Sequence, residues 1–81
     1  MFSKGEIEFG KLGYRKYEKN DIIVYYKPYT REDIRHDDIT FCKKTKKVIL
    51  YQGTNYGPDA FRTDYKLINA IKLVCEELNF I

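Results

Sequence analysis

From Asp64 onward, Leu67, Ile71, Val74 and Leu78 recur at i, i+4, i+7 and i+11, with Ile68 and Cys75 beside them. That spacing marks one face of an α-helix, and Thr63 or Asp64 stands where its N-cap belongs. Two blocks with a period of two precede it. YRKYEKNDIIVYYKP reads as a hairpin turning at Glu18 to Asp21, with Pro28 ending its second strand. A symmetric turn sets Tyr17 opposite Ile22. Tyr17, Ile22, Val24 and Tyr26 then share one face, and Tyr14, Ile23 and Tyr25 share the other. DITFCKK and KKVILYQ read as a second hairpin. A two-residue loop at Lys44–Thr45 puts Phe41 opposite Val48 and Ile39 opposite Leu50. Neither Gly nor Asn stands in that loop, so a bulged version is the alternative.

The remaining segments connect these elements. Tyr29 to Asp38 is charged, with one helical turn expected around Ile34 and with Asp33, Asp37 and Asp38 alternating with Arg31 and Arg35 as in a salt-bridged loop. GTNYGPDAF reads as a plain loop punctuated by Gly53, Gly57 and Pro58. Near the start, FGKLGY ends as a short helix does, with Leu12 as its last core contact and Gly13 in the left-handed conformation. Gly5 and Gly10 weaken that helix. Together these elements predict one α+β domain over residues 1–81. It would be a small, roughly four-stranded, mostly antiparallel sheet, with the C-terminal helix packed on one face and a short N-terminal helix or arm beside it.

The order FGKLGY, IIVYYK, ITFCKKTKKVILY and LINAIKLVCEELNF resembles a class of small uncharacterised proteins encoded by phages and prophages of Gram-positive bacteria. Phe9, Leu12, Gly13, Tyr14, Phe41, Lys46, Val48, Ala70, Ile71, Glu77 and Leu78 carry the resemblance. Asn79 and Phe80 stand where that class has Gly and Trp. The resemblance covers most of the chain and implies an α+β fold and a mobile-element setting. It implies no activity.

A chain of 81 residues buries roughly 60–65% of its unfolded surface. Stability on the order of 4–12 kcal/mol follows, and a deep substrate cavity would remove much of so thin a core. Size therefore favours surface binding over an enzyme pocket, and no small-molecule substrate or cofactor is expected. The net charge of +3 is below that of a dedicated nucleic-acid binder. Two cysteines, Cys42 and Cys75, make no disulfide framework. MFSKGEIEFG has no apolar signal core and no stretch approaches a membrane span, so no membrane partner is expected and a reducing cytoplasm is the expected setting.

Lys43, Lys44, Lys46 and Lys47 crowd five positions without an acid. As a functional patch they would grip phosphates, with Arg15 or Lys16 nearby. The plainer reading is a solvated hairpin end whose charges discourage strand-edge aggregation. His36, Asp38 and Cys42 alternate onto one strand face, but His36 and Cys42 would stand about 20 Å apart, too far for one ion. Cys42 and Cys75 lack ligand-pair spacing, and a Cys/His nucleophile pair would need His36 to reach Cys75 on the helix stripe. TNYGPD lacks the lysine of a phosphate loop. No catalytic and no metal residue is assigned.

Apolar surplus is more informative. One hairpin face must remain uncovered by two short helices, either that of Tyr14, Ile23 and Tyr25 or that of Tyr17, Ile22, Val24 and Tyr26, and Leu73 and Phe80, i+7 apart, fall opposite the main helix stripe. Contiguous apolar patches on small domains mark protein contacts, with Tyr a frequent anchor. The leading expectation is a non-catalytic interaction protein that docks on a protein or self-associates through Tyr14, Ile23, Tyr25, Leu73 and Phe80. The alternative is a nucleic-acid binder using Arg15, Lys43, Lys44, Lys46 and Lys47.

Overall fold

A computed structural model describes residues 2–27, 36–54, 57–58 and 64–81. The expectations for Pro28, for a turn around Ile34, for ion pairs at Arg31, Asp33 and Arg35, and for Thr63 as a cap lie outside those residues. The chain runs α1 (Lys4–Lys11), β1 (Arg15–Lys19), β2 (Ile22–Tyr26), β3 (His36–Cys42), β4 (Lys47–Thr54), β5 (Gly57–Pro58) and α2 (Tyr65–Glu77). The fold is α+β, as predicted. Each strand pairs antiparallel with the next, in the order β1-β2-β3-β4-β5.

Both helices are capped at each end. The Ser3 side chain accepts the Glu6 N–H, and the Asp64 carboxylate accepts the Leu67 N–H at 3.0 Å, satisfying donors that the helix leaves free. At the other end of α1, Gly13 has φ +89°. The Tyr14 N–H there donates to the Phe9 carbonyl and the Gly13 N–H to that of Gly10, both at 3.0 Å. This paired closure turns the chain sharply and brings the Tyr14 ring edge-on to Phe9, 5.4 Å between centroids.

The core lies between the helices and one face of the sheet. Phe9 stacks on Tyr25 at 4.1 Å, and Phe41 meets both rings edge-on at 6.2 and 5.9 Å. Ile23 and Ile39 complete the sheet side, and Leu67, Ala70 and Val74 the α2 side. The α2 stripe agrees with the predicted spacing, with Ala70 added and Ile68 exposed.

Three local readings need correction. First, Lys19 pairs with Ile22 and Tyr17 with Val24, so Tyr17 does not face Ile22. Asn20 takes φ 52°, a left-handed conformation that Asn adopts more readily than most residues. It tightens the turn to Asn20–Asp21 and shifts the register by two, which preserves the two faces. Second, Phe41 faces Val48 and Ile39 faces Leu50 as expected, but the loop spans Lys43 to Lys46. Lys46 sits at φ 57° and its N–H donates to the Cys42 carbonyl at 2.8 Å, closing a four-residue loop with no bulge in the ladder. Third, GTNYGPDAF is not wholly loop, because Gly53 pairs with Pro58 and Thr54 with Gly57.

Candidate functional site

α1 and α2 occupy the same side of the sheet, so among the described residues the opposite side carries no helix. Strand alternation and the observed registers define what that open face presents. Tyr17, Val24, Thr40 and Ile49 form a row across four strands. Arg15, Tyr26, Asp38 and Tyr51 form the next row, and Lys19, Ile22, Cys42 and Lys47 the row on the other side. Tyr17, Ile49 and Tyr51 are 47%, 54% and 44% exposed, while Ile22, Val24 and Tyr26 are half-buried. The result is an apolar, tyrosine-rich strip with cations at its ends.

The predicted contact residues fall elsewhere. Tyr14, Ile23 and Tyr25 are buried under the helices and offer no contact surface. The face opposite theirs is the open one, because the Phe9 ring of α1 stacks on Tyr25. Phe80 and Leu73 do not form a second stripe either. α2 stops at Glu77, where the Phe80 N–H donates to the Cys75 carbonyl at 2.8 Å and Asn79 turns left-handed at φ 60°. That turn swings the Phe80 ring onto Phe41, 6.4 Å between centroids, and leaves Leu73 half-buried on the helix.

The five predicted basic contacts divide. Arg15 and Lys47 lie on the open face, while Lys44 and Lys46 are exposed at the hairpin tip. Lys43 bridges to Glu18 at 2.7 Å on the helix side, and its ammonium group holds the Glu18 carboxyl below its usual range. The Lys43 N–H also donates to the Asp21 carbonyl at 2.8 Å, joining the two turns at one end of the sheet.

Charge is distributed unevenly between the two faces. The ion pairs among the described residues are Lys11–Glu8, Lys16–Glu6, Lys43–Glu18 and Lys72–Glu76. Each lies on a helix or on the helix side of the sheet. On the open face, Arg15, Lys19 and Lys47 make no ion pair with a described residue, and Asp38 is the one acid among the described residues. Surface pairs of this kind contribute little to stability, but they neutralise one side and leave the other positive.

Tyr51 has a particular posture. A Cβ built at Gly53 would stand 2.5 Å from its Oη, 2.8 Å from Cζ and 2.9 Å from Cε1. The ring is therefore laid along its own strand over Gly53 instead of standing up from the sheet. Only glycine leaves room for that, and Gly53 is buried beneath the ring.

The thiols are on opposite sides of the sheet. Cys42 is on the open face and Cys75 packs against the core, where burial pushes its thiol up. Both are free. Among the described residues no three His, Cys, Asp or Glu side chains group as a metal site. β3 runs unbroken from His36 to Cys42, which keeps the backbones of those two residues at its opposite ends. Among the described residues no helix is long and apolar enough to cross a membrane. A depression of about 590 Å³ opens between α1 and the start of α2, lined by Glu8, Lys11, Leu12, Tyr65, Lys66 and Asn69. Its one acid, Glu8, is already paired with Lys11.

Sequence reasoning offered the face of Tyr17 and Tyr26 as one of two that could stay open, but missed that Ile49, Tyr51 and Gly53 extend it. The signal was present in β4: Lys47, Ile49 and Tyr51 share a parity, so the lysine and the tyrosine project together. No protein-family model matches the chain, and no significantly similar curated protein or solved structure was found.

Proposed function

We propose that this chain is a non-catalytic interaction protein that docks an anionic macromolecule on the open face of its sheet. The observation that carries this reading is the asymmetry of the sheet. One face packs against both helices, and the four ion pairs among the described residues lie on that side. The other presents Tyr17, Ile49 and Tyr51 to solvent between Arg15, Lys19 and Lys47, with Asp38 the one acid among the described residues there. A contiguous apolar patch on a small domain is costly to leave wet and is a mark of a binding surface. Cations around it favour an acidic partner. Self-association face to face is disfavoured on the same grounds, since it would bring two sets of three cations together. Free thiols suit a reducing compartment, and the likeness to phage and prophage chains supports a mobile-element origin.

Capture from bacterial lysate on immobilised protein tests the assignment of the surface. Three chains are compared: the natural one, Ile49→Glu on the open face, and Ile68→Glu on the solvent side of α2, where Ile68 is 56% exposed. Ile49→Glu is expected to lose what the natural chain retains, and Ile68→Glu to keep it, with both still folded by circular dichroism. Retention by Ile49→Glu equal to that of the natural chain would overturn the reading.

A further inference from the structure

We infer that the anionic partner is a single-stranded nucleic acid, with a base stacked on the ring of Tyr51. This rests on the docking reading and narrows it to one class of ligand. Three observations support it. The first is the posture of Tyr51. Laid along its strand over Gly53 and 44% exposed, the ring lies low on the sheet and keeps much of its surface open to solvent, where an incoming base can reach it. Bases stack on aromatic faces regardless of sequence. The second is the grouping of aromatic rings. Tyr17 and Tyr26 share the face with Tyr51, and Tyr26 lies in the same cross-strand row. Successive bases of an unpaired strand can therefore find successive rings.

The third is the placement of charge. Arg15 ends the row that contains Tyr51, three strands away or roughly 14 Å at the usual strand spacing. Lys47 lies four residues along β4, roughly 13 Å by the rise per residue. Lys44 and Lys46 continue the positive path at the hairpin tip. Cations at the rim with rings inside is the layout of a groove that tracks a backbone and turns bases inward. A duplex, whose bases are stacked within it, would leave the rings unused. The lysine-rich turn, weak as a site by itself, becomes the rim of a larger one.

The test measures fluorescence anisotropy of the full chain against three labelled probes: a dodecamer of thymidylate, a twelve-base-pair duplex carrying about twice its charge, and a polyglutamate peptide matched in charge to the dodecamer. The natural chain is expected to prefer the single strand. Tyr51→Leu keeps apolar bulk but removes the ring face, and should weaken that binding about ten- to a hundredfold. Gly53→Ala displaces the ring and should weaken binding in the same direction. The logarithm of affinity should fall with the logarithm of salt with a slope of about −0.7 per phosphate contacted, and Lys47→Gln should reduce that slope by about one such step. Tight polyglutamate binding that Ile49→Glu abolishes, with none to the single strand, would overturn this inference and leave the docking surface standing. Single-strand binding that Tyr51→Leu leaves unchanged would overturn the stacked arrangement. Failure of all three probes, together with unaltered lysate capture by Ile49→Glu, would sink both readings.

Discussion

Gly5 of α1 lies against Val74 of α2, so close that a Cβ on Gly5 would stand 2.5 Å from Val74 Cγ2 and 3.0 Å from its backbone nitrogen. The Gly5 N–H also donates to a Glu77 carboxylate oxygen at 3.3 Å. The two helices thus cross backbone to backbone at this point, which brings both within reach of the same sheet face. Gly10, on the same helix, has nothing within 4 Å of its would-be Cβ. The two glycines should therefore respond oppositely to alanine. Gly10→Ala should stabilise by roughly 0.5–1 kcal/mol, because it restricts the unfolded chain and suits a helix. Gly5→Ala gains the same propensity but overpacks the crossing, for a net loss of about 1–2 kcal/mol. Urea denaturation of the two variants checks this, and an equal response at both sites would contradict the crossing.

Asn79 takes the left-handed position that closes α2, where the phage and prophage class has Gly. Asn79→Gly should be neutral or stabilising by up to about 1 kcal/mol. Asn79→Val should cost about 1–2 kcal/mol, since a β-branched side chain is strained at positive φ. Because this turn aims Phe80 at Phe41, the valine variant should also shift the methyl and ring signals around Phe41 in NMR spectra. Normal stability for Asn79→Val would mean that the closure is dispensable.

Element identity was legible because period and punctuation agreed. The α2 stripe, the Asp64 cap and the parity of both hairpins all follow from spacing alone. Gly5 misled: read as a helix weakener, it is the residue that permits the helix crossing, a tertiary demand that no local propensity encodes. Hairpin register was wrong by two because the left-handed tolerance of Asn20 allows a shorter turn than symmetry suggested. The choice of which face to bury was not legible either. Tyr14, Ile23 and Tyr25 and their counterparts Tyr17, Ile22, Val24 and Tyr26 are equally apolar on paper. What decides it is the Phe9 ring, which stacks on Tyr25 once the α1 closure has fixed its direction. Phe80 joined the wrong group because a helical wheel assumes that the helix continues, and it does not.

Burial pushes the Tyr14 hydroxyl up to about 12, with the carboxylates of Asp37, Asp38 and Asp64 adding to the effect, and raises Tyr25 as well. The folded chain therefore favours the neutral phenols, while the unfolded chain ionises near the usual value of about 10. Below that pH both states are neutral and the contribution is complete. As pH rises from about 10 towards 12, the unfolded state sheds protons that the folded state keeps, so stability falls. The slope approaches about 1.4 kcal/mol per pH unit for each such tyrosine. Denaturation midpoints at pH 8, 9, 10 and 11 should be flat and then decline. The Tyr14→Phe, Tyr25→Phe double variant should lose most of the decline. A decline of undiminished slope in that variant would assign it to lysine deprotonation instead.

Lys46 is the least comfortable member of the lysine cluster, because a long side chain at φ 57° carries a left-handed penalty of roughly 1–2 kcal/mol that glycine avoids. Lys46→Gly should recover about 0.5–1 kcal/mol of that after the larger entropy loss of glycine on folding, raising the melting temperature by about 2–8 °C in a domain of this size. The lysine-rich turn would then owe its composition to something other than its own fold. If its charges serve the open face, Lys46→Gly should weaken binding to an anionic probe only slightly, as one rim cation among five, while Arg15→Gln with Lys47→Gln weakens it more. If the turn is only a solvated end, Lys46→Gly should be more stable and bind identically. Paired measurement of melting temperature and affinity on the one variant separates these outcomes, and a loss of stability would show that the left-handed position is not strained.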